Sequence, residues 1–105
     1  MRILFDHGTP RPLRDHFPEH RVDTAAEKGW SRLGNGELLD HAERDGYDLL
    51  ITTDQNMQYQ QNVAARRLAI VVLLSNRWPR IRQRIEVIRK VVVEIRSGEL
   101  REVGI

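Results

Sequence analysis

Short apolar runs alternate with polar or amphipathic segments along the whole chain. The apolar runs predict strands at residues 2–5, 47–53 and 68–74. Two segments of mixed polarity are also predicted as strands, at residues 21–24 and, as a last edge strand, at residues 100–103. The run from Leu68 to Leu74 is apolar at every position, which is typical of a parallel strand covered on both faces. Strands that alternate with helical segments predict one α/β domain over residues 1–105. We expect three layers, with helices on both faces of a mostly parallel sheet of four to five strands.

The segments between the strands carry helix signals. Residues 12–17 predict a short helix with a proline in its first turn. A second helix is predicted from Asn35, as its N-cap, to Gly46, as its C-terminal glycine cap. Residues 55–67 predict a polar helix rich in Gln and Asn. The longest helix is predicted over residues 78–97, and its apolar stripe consists of Ile81, Ile85, Ile88, Val92 and Ile95.

The composition excludes several classes of protein. The chain has no cysteine, which rules out a disulfide scaffold, a thiolate zinc site and a cysteine nucleophile. Its longest apolar run is far too short to span a membrane. A carboxylate already stands at Asp6, so we expect no signal peptide and a cytoplasmic location.

Charge is distributed unevenly along the chain. Residues 1–54 hold 7 basic and 11 acidic side chains, whereas residues 55–105 hold 10 basic and 4 acidic ones. Most of the cations are arginines, which bind carboxylates and phosphates through two parallel hydrogen bonds. The asymmetry suits a metal site beside a phosphate-binding surface. Arginines that merely solvate helices explain the charge pattern at least as well.

The candidate chemistry lies where two strands end. Asp6 follows the first strand and Asp54 follows the third. In an open parallel sheet, ligands bind beyond the carboxyl ends of the strands, at the point where strand order reverses. If the strand order is 2-1-3-4, both carboxylates project into one crevice there. Carboxylate oxygens are ligands that Mg²⁺ and Mn²⁺ prefer, although both residues would also serve as helix caps.

Two further side chains are candidates for the same crevice. Glu37 lies in the first turn of the second helix, and Asn56 offers an amide oxygen two residues after Asp54. Each has a simpler structural explanation. Glu37 would complement the helix dipole, and Asn56 would begin the next helix. Asn35 fits an N-cap better than a ligand.

Several arginines are candidates for contacts with a phosphate backbone. Arg82 and Arg89 are seven residues apart, so they line one flank of the predicted long helix. Pairing of these arginines with Glu86 on a solvated face is the alternative. The other candidates stand near the ends of strands or helices, at Arg66, Arg67 and Arg77.

Other reaction classes lack their motifs. The chain has no glycine-rich phosphate loop, no G-x-S-x-G turn and no H-E-x-x-H helix. A phosphoacceptor signalling domain would share the parallel sheet, but it needs a pair of acids after the first strand and a lysine near the last strand end. Here His7 follows Asp6, and both lysines lie elsewhere. We therefore rank that function last.

Four stretches of the chain together resemble a known family. They are Ile3–Asp6 with Pro10 close behind, Asn35–Ala42, Leu50–Asn56 and Ala69–Leu74. In order and spacing they resemble the small PIN-like domains, which are related to VapC-type toxin ribonucleases and to the C-terminal nuclease domain of Mut7. The resemblance covers roughly residues 1–95.

The resemblance implies a ribonuclease that depends on Mg²⁺ or Mn²⁺. By position, Asp6, Glu37 and Asp54 would bind the metal, and Asn56 would complete the catalytic set. It also implies an RNA substrate and an antitoxin partner, and a homodimer is a further expectation. The family usually has acids where this chain has Asn35 and Asn56. The alternative is therefore a catalytically weakened PIN-like domain that binds RNA or a protein.

Overall fold

The predicted strands form one sheet in a computed structural model that describes all residues from Met1 to Ile105. The strands are β1 (Arg2–Phe5), β2 (Arg21–Thr24), β3 (Leu49–Thr52), β4 (Ala69–Leu73) and β5 (Leu100–Val103). Their order is β2-β1-β3-β4-β5, and every neighbouring pair is parallel. The predicted α/β class and the reversal of strand order at β1 are confirmed.

Helices occupy the connections between strands. They are α1 (Asn35–Arg44), α2 (Trp78–Arg82) and α3 (Ile85–Glu94), with 3₁₀ helices at Arg11–His16, Gln55–Tyr59 and Val63–Ala65. The predicted glycine cap at the end of α1 is confirmed, because Gly46 has a φ of +84°. None of the helices is both long enough and apolar enough to cross a membrane.

Two separate hydrophobic cores cover the two faces of the sheet. Successive side chains of a strand point to opposite faces, and accordingly Leu4 belongs to one core while Ile3 and Phe5 belong to the other. Leu38, Leu39 and Ala42 of α1 pack into the core of Leu4. The core of Ile3 contains the buried residues of α2 and α3, which are Ile81, Ile88 and Val92.

The predicted long helix over residues 78–97 is wrong in two respects. It divides into α2 and α3 because the chain tightens between them, where Arg84 N donates to Ile81 O and Arg84 takes a φ of −114°. It also ends early, at Glu94. Ile95 is extended, and Arg96 N donates to the Glu99 side chain instead of to a helical carbonyl.

The predicted polar helix over residues 55–67 is also wrong. The segment forms the two short 3₁₀ helices, separated by Asn62 in the left-handed region with a φ of +63°. Met57 is its only buried residue between Asp54 and Leu68. Without an apolar stripe to bury, a regular helix gains too little from packing to form here.

A glycine in the turn before β5 has a conformation that other residues adopt at a cost. Gly98 has a φ of +81°, and an added Cβ would lie 2.8 Å from Ala64 O. Gly29 has a similar φ of +77° but open space around it, and Gly104 has neither constraint. Alanine substitutions at these three positions therefore separate the cost of backbone strain from the cost of a steric clash.

We expect Gly98→Ala to lower the free energy of unfolding by more than Gly29→Ala does. Backbone strain alone costs about 1–2 kcal/mol at a left-handed position. Gly98→Ala adds the clash with Ala64, whereas Gly104→Ala should change stability by less than about 0.5 kcal/mol. Urea denaturation of the three variants measures this order. Equal losses for Gly98→Ala and Gly104→Ala would contradict it.

Candidate functional site

The register of β1 against β3 brings Asp6 beside Thr52. Phe5 pairs with Ile51, and Asp6 N continues the ladder by donating to Ile51 O at 3.0 Å. The fully buried Thr52 hydroxyl then donates to Asp6 Oδ2 at 2.5 Å. The other oxygen, Asp6 Oδ1, accepts from His7 N. Asp6 is therefore held from its own loop and from the neighbouring strand.

Asp54 joins the same hydrogen-bond network. Its backbone N donates to Thr52 Oγ1 at 3.0 Å, so one hydroxyl links the residues that follow β1 and β3. Asp54 Oδ1 accepts from Asn56 N at 2.9 Å and caps the 3₁₀ helix that follows. The capping role that the sequence left open for Asp54 is therefore real. It uses one carboxylate oxygen and leaves Oδ2 facing α1.

Asn35 supplies the contact from α1. The prediction that Asn35 caps its own helix is wrong, because Gly34 is the N-cap residue and Asn35 is the first helical residue. The Asn35 side chain is used across the site instead, where Nδ2 donates to Asp54 Oδ2 at 3.2 Å. The start of α1 is thus tied to the end of β3.

The two carboxylates receive only neutral donors. These are the backbone N–H groups of His7 and Asn56, the Thr52 hydroxyl and the Asn35 amide. No side-chain nitrogen of a lysine, arginine or histidine lies within 4.0 Å of either carboxylate. Two carboxylates of one hydrogen-bond network therefore remain without a cationic side chain within this distance.

Glu37 does not complete a three-acid cluster with Asp6 and Asp54. No group of three or more His, Asp or Glu side chains has an arrangement that would hold a metal ion directly. Glu37 is exposed and turns back toward Gly34 at the start of α1. Asn56 is also exposed, and only its backbone N contacts Asp54. The structure thus connects Asp6 and Asp54 through Thr52, and it adds Asn56 through its backbone N.

A small cavity of about 160 Å³ opens beside Asp6. It lies at the carboxyl ends of β1 and β2, and its lining residues are Asp6, His7, Thr9, Arg11, Thr24 and Ala26. The buried Thr9 hydroxyl donates to Ile51 O at 2.9 Å and fixes the loop after β1 against β3. Arg11 brings a guanidinium to the cavity.

Glu27 stabilises the far wall of this cavity. Thr24 N donates to Glu27 Oε1 at 2.8 Å, and Arg14 binds the same carboxylate at 2.9 Å. The hydrogen bond from Thr24 and the nearby Arg14 guanidinium hold the pKa of Glu27 below its usual value. The end of β2 is therefore anchored by a charged side chain that does not itself line the cavity.

Sequence reasoning missed Thr52 and Arg11. Thr52 had a usable signal, since a threonine two residues before Asp54 falls opposite Asp6 once β1 pairs with β3. Arg11 had none, because its nearness to Asp6 depends on the path of the loop after β1. Both residues belong to the site by position.

The arginines proposed to contact phosphate are dispersed. Arg66 pairs with Asp40 at 2.8 Å, and Arg89 pairs with Glu19 at 3.1 Å. Arg66 and Arg67 precede β4, so they lie at the amino edge of the sheet, opposite to Asp6 and Asp54. By contrast, Arg77 follows β4 at the carboxyl edge, and Arg82 ends α2; both are exposed and have no ion pair.

Comparison of the chain with protein-family models, with curated proteins and with solved structures found no match. The resemblance to PIN-like domains therefore stays a prediction. The arrangement of side chains at the carboxyl edge of the sheet is the basis for a functional proposal.

We expect Thr52→Val to lower the free energy of unfolding while it keeps the shape of the side chain. The substitution removes one hydroxyl that serves both Asp6 and Asp54, and the loss of a buried hydrogen bond to a charged group is worth about 1–3 kcal/mol. Urea denaturation measures the loss. Thr53→Val is the matched control, because the Thr53 hydroxyl makes no hydrogen bond.

A double-mutant cycle with Asp6→Ala, which removes the acceptor, tests the hydrogen bond itself. If Thr52 acts through Asp6, the two substitutions should be non-additive by about 0.5–3 kcal/mol. Additive losses would show that the Thr52 hydroxyl does not hold Asp6.

Proposed function

We propose that the protein is a PIN-like ribonuclease that depends on Mg²⁺ or Mn²⁺ bound between Asp6 and Asp54. The main support is that Asp6 and Asp54 are connected through the Thr52 hydroxyl at the point where strand order reverses, and neither carboxylate has a cationic side chain within 4.0 Å. A divalent cation would neutralise both. The family resemblance adds two further proposals, a cytoplasmic toxin under the control of an antitoxin and a homodimer.

The donor set fits a hard divalent cation. Such cations take carboxylate, amide and water oxygens and usually keep several waters. Each oxygen of Asp6 and Asp54 accepts one hydrogen bond from the protein, and a carboxylate oxygen has a second lone pair. One side of each carboxylate is therefore free to bind a cation without loss of the network that orients it.

Each residue of the proposed site has a separate task. A bound divalent ion supplies charge neutralisation at the phosphodiester and a more acidic water. Asp6 and Asp54 would hold the ion, and Thr52 orients both residues. Glu37 and Asn56 are exposed at the rim, where they would position water molecules.

A binding module that has lost catalysis is the second candidate. It is favoured by one specific contact, the hydrogen bond from Asn35 Nδ2 to Asp54 Oδ2. The Asn35 amide donates a hydrogen bond to the Asp54 carboxylate and so stabilises it without a metal ion. An acid at position 35 would instead repel Asp54, and only a cation would relieve that repulsion. In that case the carboxyl edge would bind RNA or a protein without cleaving it.

Cleavage of a labelled single-stranded RNA in Mn²⁺ separates the two candidates. We expect metal-dependent cleavage by the natural chain. The cleavage rate should fall at least tenfold in Asp6→Asn and in Asp54→Asn, because each variant loses a carboxylate that would hold the ion, and loss of the ion raises the barrier by more than about 1.4 kcal/mol. Asp48→Asn is the control, because Asp48 precedes β3 at the opposite edge. Equal cleavage by all three variants would attribute the activity to a contaminant or to another site.

We expect Asn35→Asp to be less stable than the natural chain without metal and to gain more stability from Mn²⁺. The substitution places a third carboxylate where an amide now lies 3.2 Å from Asp54 Oδ2. Without a cation the like charges repel, and a bound cation relieves the repulsion. A ligand at ten times its Kd adds about 1.4 kcal/mol to the free energy of unfolding.

Thermal unfolding of both proteins with and without Mn²⁺ measures this difference. Asn56→Asp should show the same behaviour if the side chain of residue 56 reaches the crevice. A gain in Mn²⁺ no larger for Asn35→Asp than for the natural chain would argue against a cation at Asp54.

A further inference from the structure

Two contrasting segments flank the carboxylates at the carboxyl edge of the sheet. One, here called the amide loop, is residues 55–62, which follow β3. The other, the arginine segment, is residues 77–84, which follow β4. Apart from Asn56, the amide loop has no role in the proposed metal site.

The amide loop is neutral and rich in groups that hydrogen-bond to bases. Six of its eight residues are Gln or Asn, and no charged residue lies between Asp54 and Arg66. Its one aromatic residue, Tyr59, is 74% exposed, the largest exposure among the aromatic residues. A ring with this much exposed surface lies outside both hydrophobic cores, and exposed aromatic rings are platforms on which unpaired bases stack.

The amide loop is anchored directly to the site. Asp54 caps the 3₁₀ helix that carries Tyr59, and five residues of 3₁₀ helix rise about 10 Å. Met57 fastens this helix to the hydrophobic core. At its far end the Gln60 side chain lies against Gly36 at the start of α1. Tyr59 is therefore displayed within about 10 Å of Asp54 along this helix.

The arginine segment presents positive charge on the other side of the site. It contains four arginines and no acid, all four are exposed, and none has a carboxylate within 4.0 Å. Val72 pairs with Thr52, so the chain leaves β4 near the level of Asp54, one strand spacing or about 4.8 Å away.

The two segments lie on opposite faces of the sheet. Ile81 of the arginine segment packs into the core that contains Ile3, whereas Met57 of the amide loop packs into the core that contains Leu4. An RNA strand that lies across the carboxyl edge, from one face of the sheet to the other, would meet the arginines first, then Asp6 and Asp54, and then Tyr59.

We propose that the protein binds single-stranded RNA across this edge, with its phosphates on Arg77 and Arg80 and an unpaired base stacked on Tyr59. This inference rests on the proposed function for the choice of RNA, but it does not require cleavage. Stacking on Tyr59 requires an unpaired base, so duplex RNA is excluded from the full set of interactions. The amides beside Tyr59 provide donors and acceptors to base edges.

Fluorescence anisotropy with a labelled single-stranded RNA in EDTA tests the stacking and the phosphate binding separately. We expect Tyr59→Ala to weaken binding about tenfold with an unchanged salt dependence, because stacking involves no counterion release. Arg77→Gln with Arg80→Gln should reduce the slope of log K against log salt by about 0.7 for each phosphate that is no longer bound. The natural chain should bind the corresponding duplex more weakly.

Matched controls exist for both substitutions. Tyr59→Phe keeps the ring and should bind like the natural chain. Arg44→Gln removes an equally exposed and unpaired arginine from the C-terminal end of α1, and it should leave the salt slope unchanged. Natural affinity in Tyr59→Ala, an equal effect of Arg44→Gln, or equal binding of duplex RNA would each overturn the proposal.

Failure of this inference is distinguishable from failure of the nuclease proposal. If RNA binds as described in EDTA but is never cleaved with Mn²⁺, the binding inference holds and the nuclease proposal fails. If RNA is cleaved but the Tyr59 and arginine variants behave like the natural chain, the binding inference alone fails.

Discussion

The parallel pairing of β1 with β3 is the constraint from which the rest of the site follows. It makes β1 the strand at which the order reverses, because β2 pairs with its other edge. The register of Phe5 with Ile51 places the last buried hydroxyl of β3 next to the first carboxylate after β1. A slip of β1 by one residue would turn Leu4 and Asp6 to the opposite face and would remove Ile3, Leu4 and Phe5 from the cores that they now fill. The packing of apolar residues thus fixes the position of the polar ones.

A single hydroxyl, that of Thr52, contributes both to stability and to the proposed function. Thr52 has no exposed surface, yet it serves the two residues that carry the negative charge of the site. Neutral donors can orient neighbouring carboxylates but cannot cancel their repulsion. Under the proposed function, such a site would be pre-organised for a cation, because its ligands would need little rearrangement on binding. Asn35 reduces that demand by occupying a place where a further acid would increase it.

The sequence predicted the sheet better than the helices, and the reason is physical. The central strands β3 and β4 lie within the predicted apolar runs because a parallel strand that is covered on both faces needs a continuous apolar stretch. The edge strands β2 and β5 match their predicted bounds although each contains charged residues. The stripe from Ile81 to Ile95 correctly identified a buried face, but spacing alone does not reveal one tightened turn at Arg84. Asp6 and Asp54 were found because strand ends are visible in sequence. Thr52 and Arg11 became apparent only with the strand register and the path of a loop. The contact that Asn35 makes was not predicted, because its side chain bonds across the site instead of capping its own helix.

The central claim is that Asp6 and Asp54 share one divalent cation. A crystal of the natural chain soaked in Mn²⁺ tests it most directly, since the anomalous signal of the metal locates it without reference to activity. We expect one ion between β1 and β3, bound by an oxygen of Asp6 and an oxygen of Asp54, with water in the other positions. An ordered crystal with no ion there, or with Mn²⁺ only at other carboxylates such as Asp40 or Glu43, would contradict the claim.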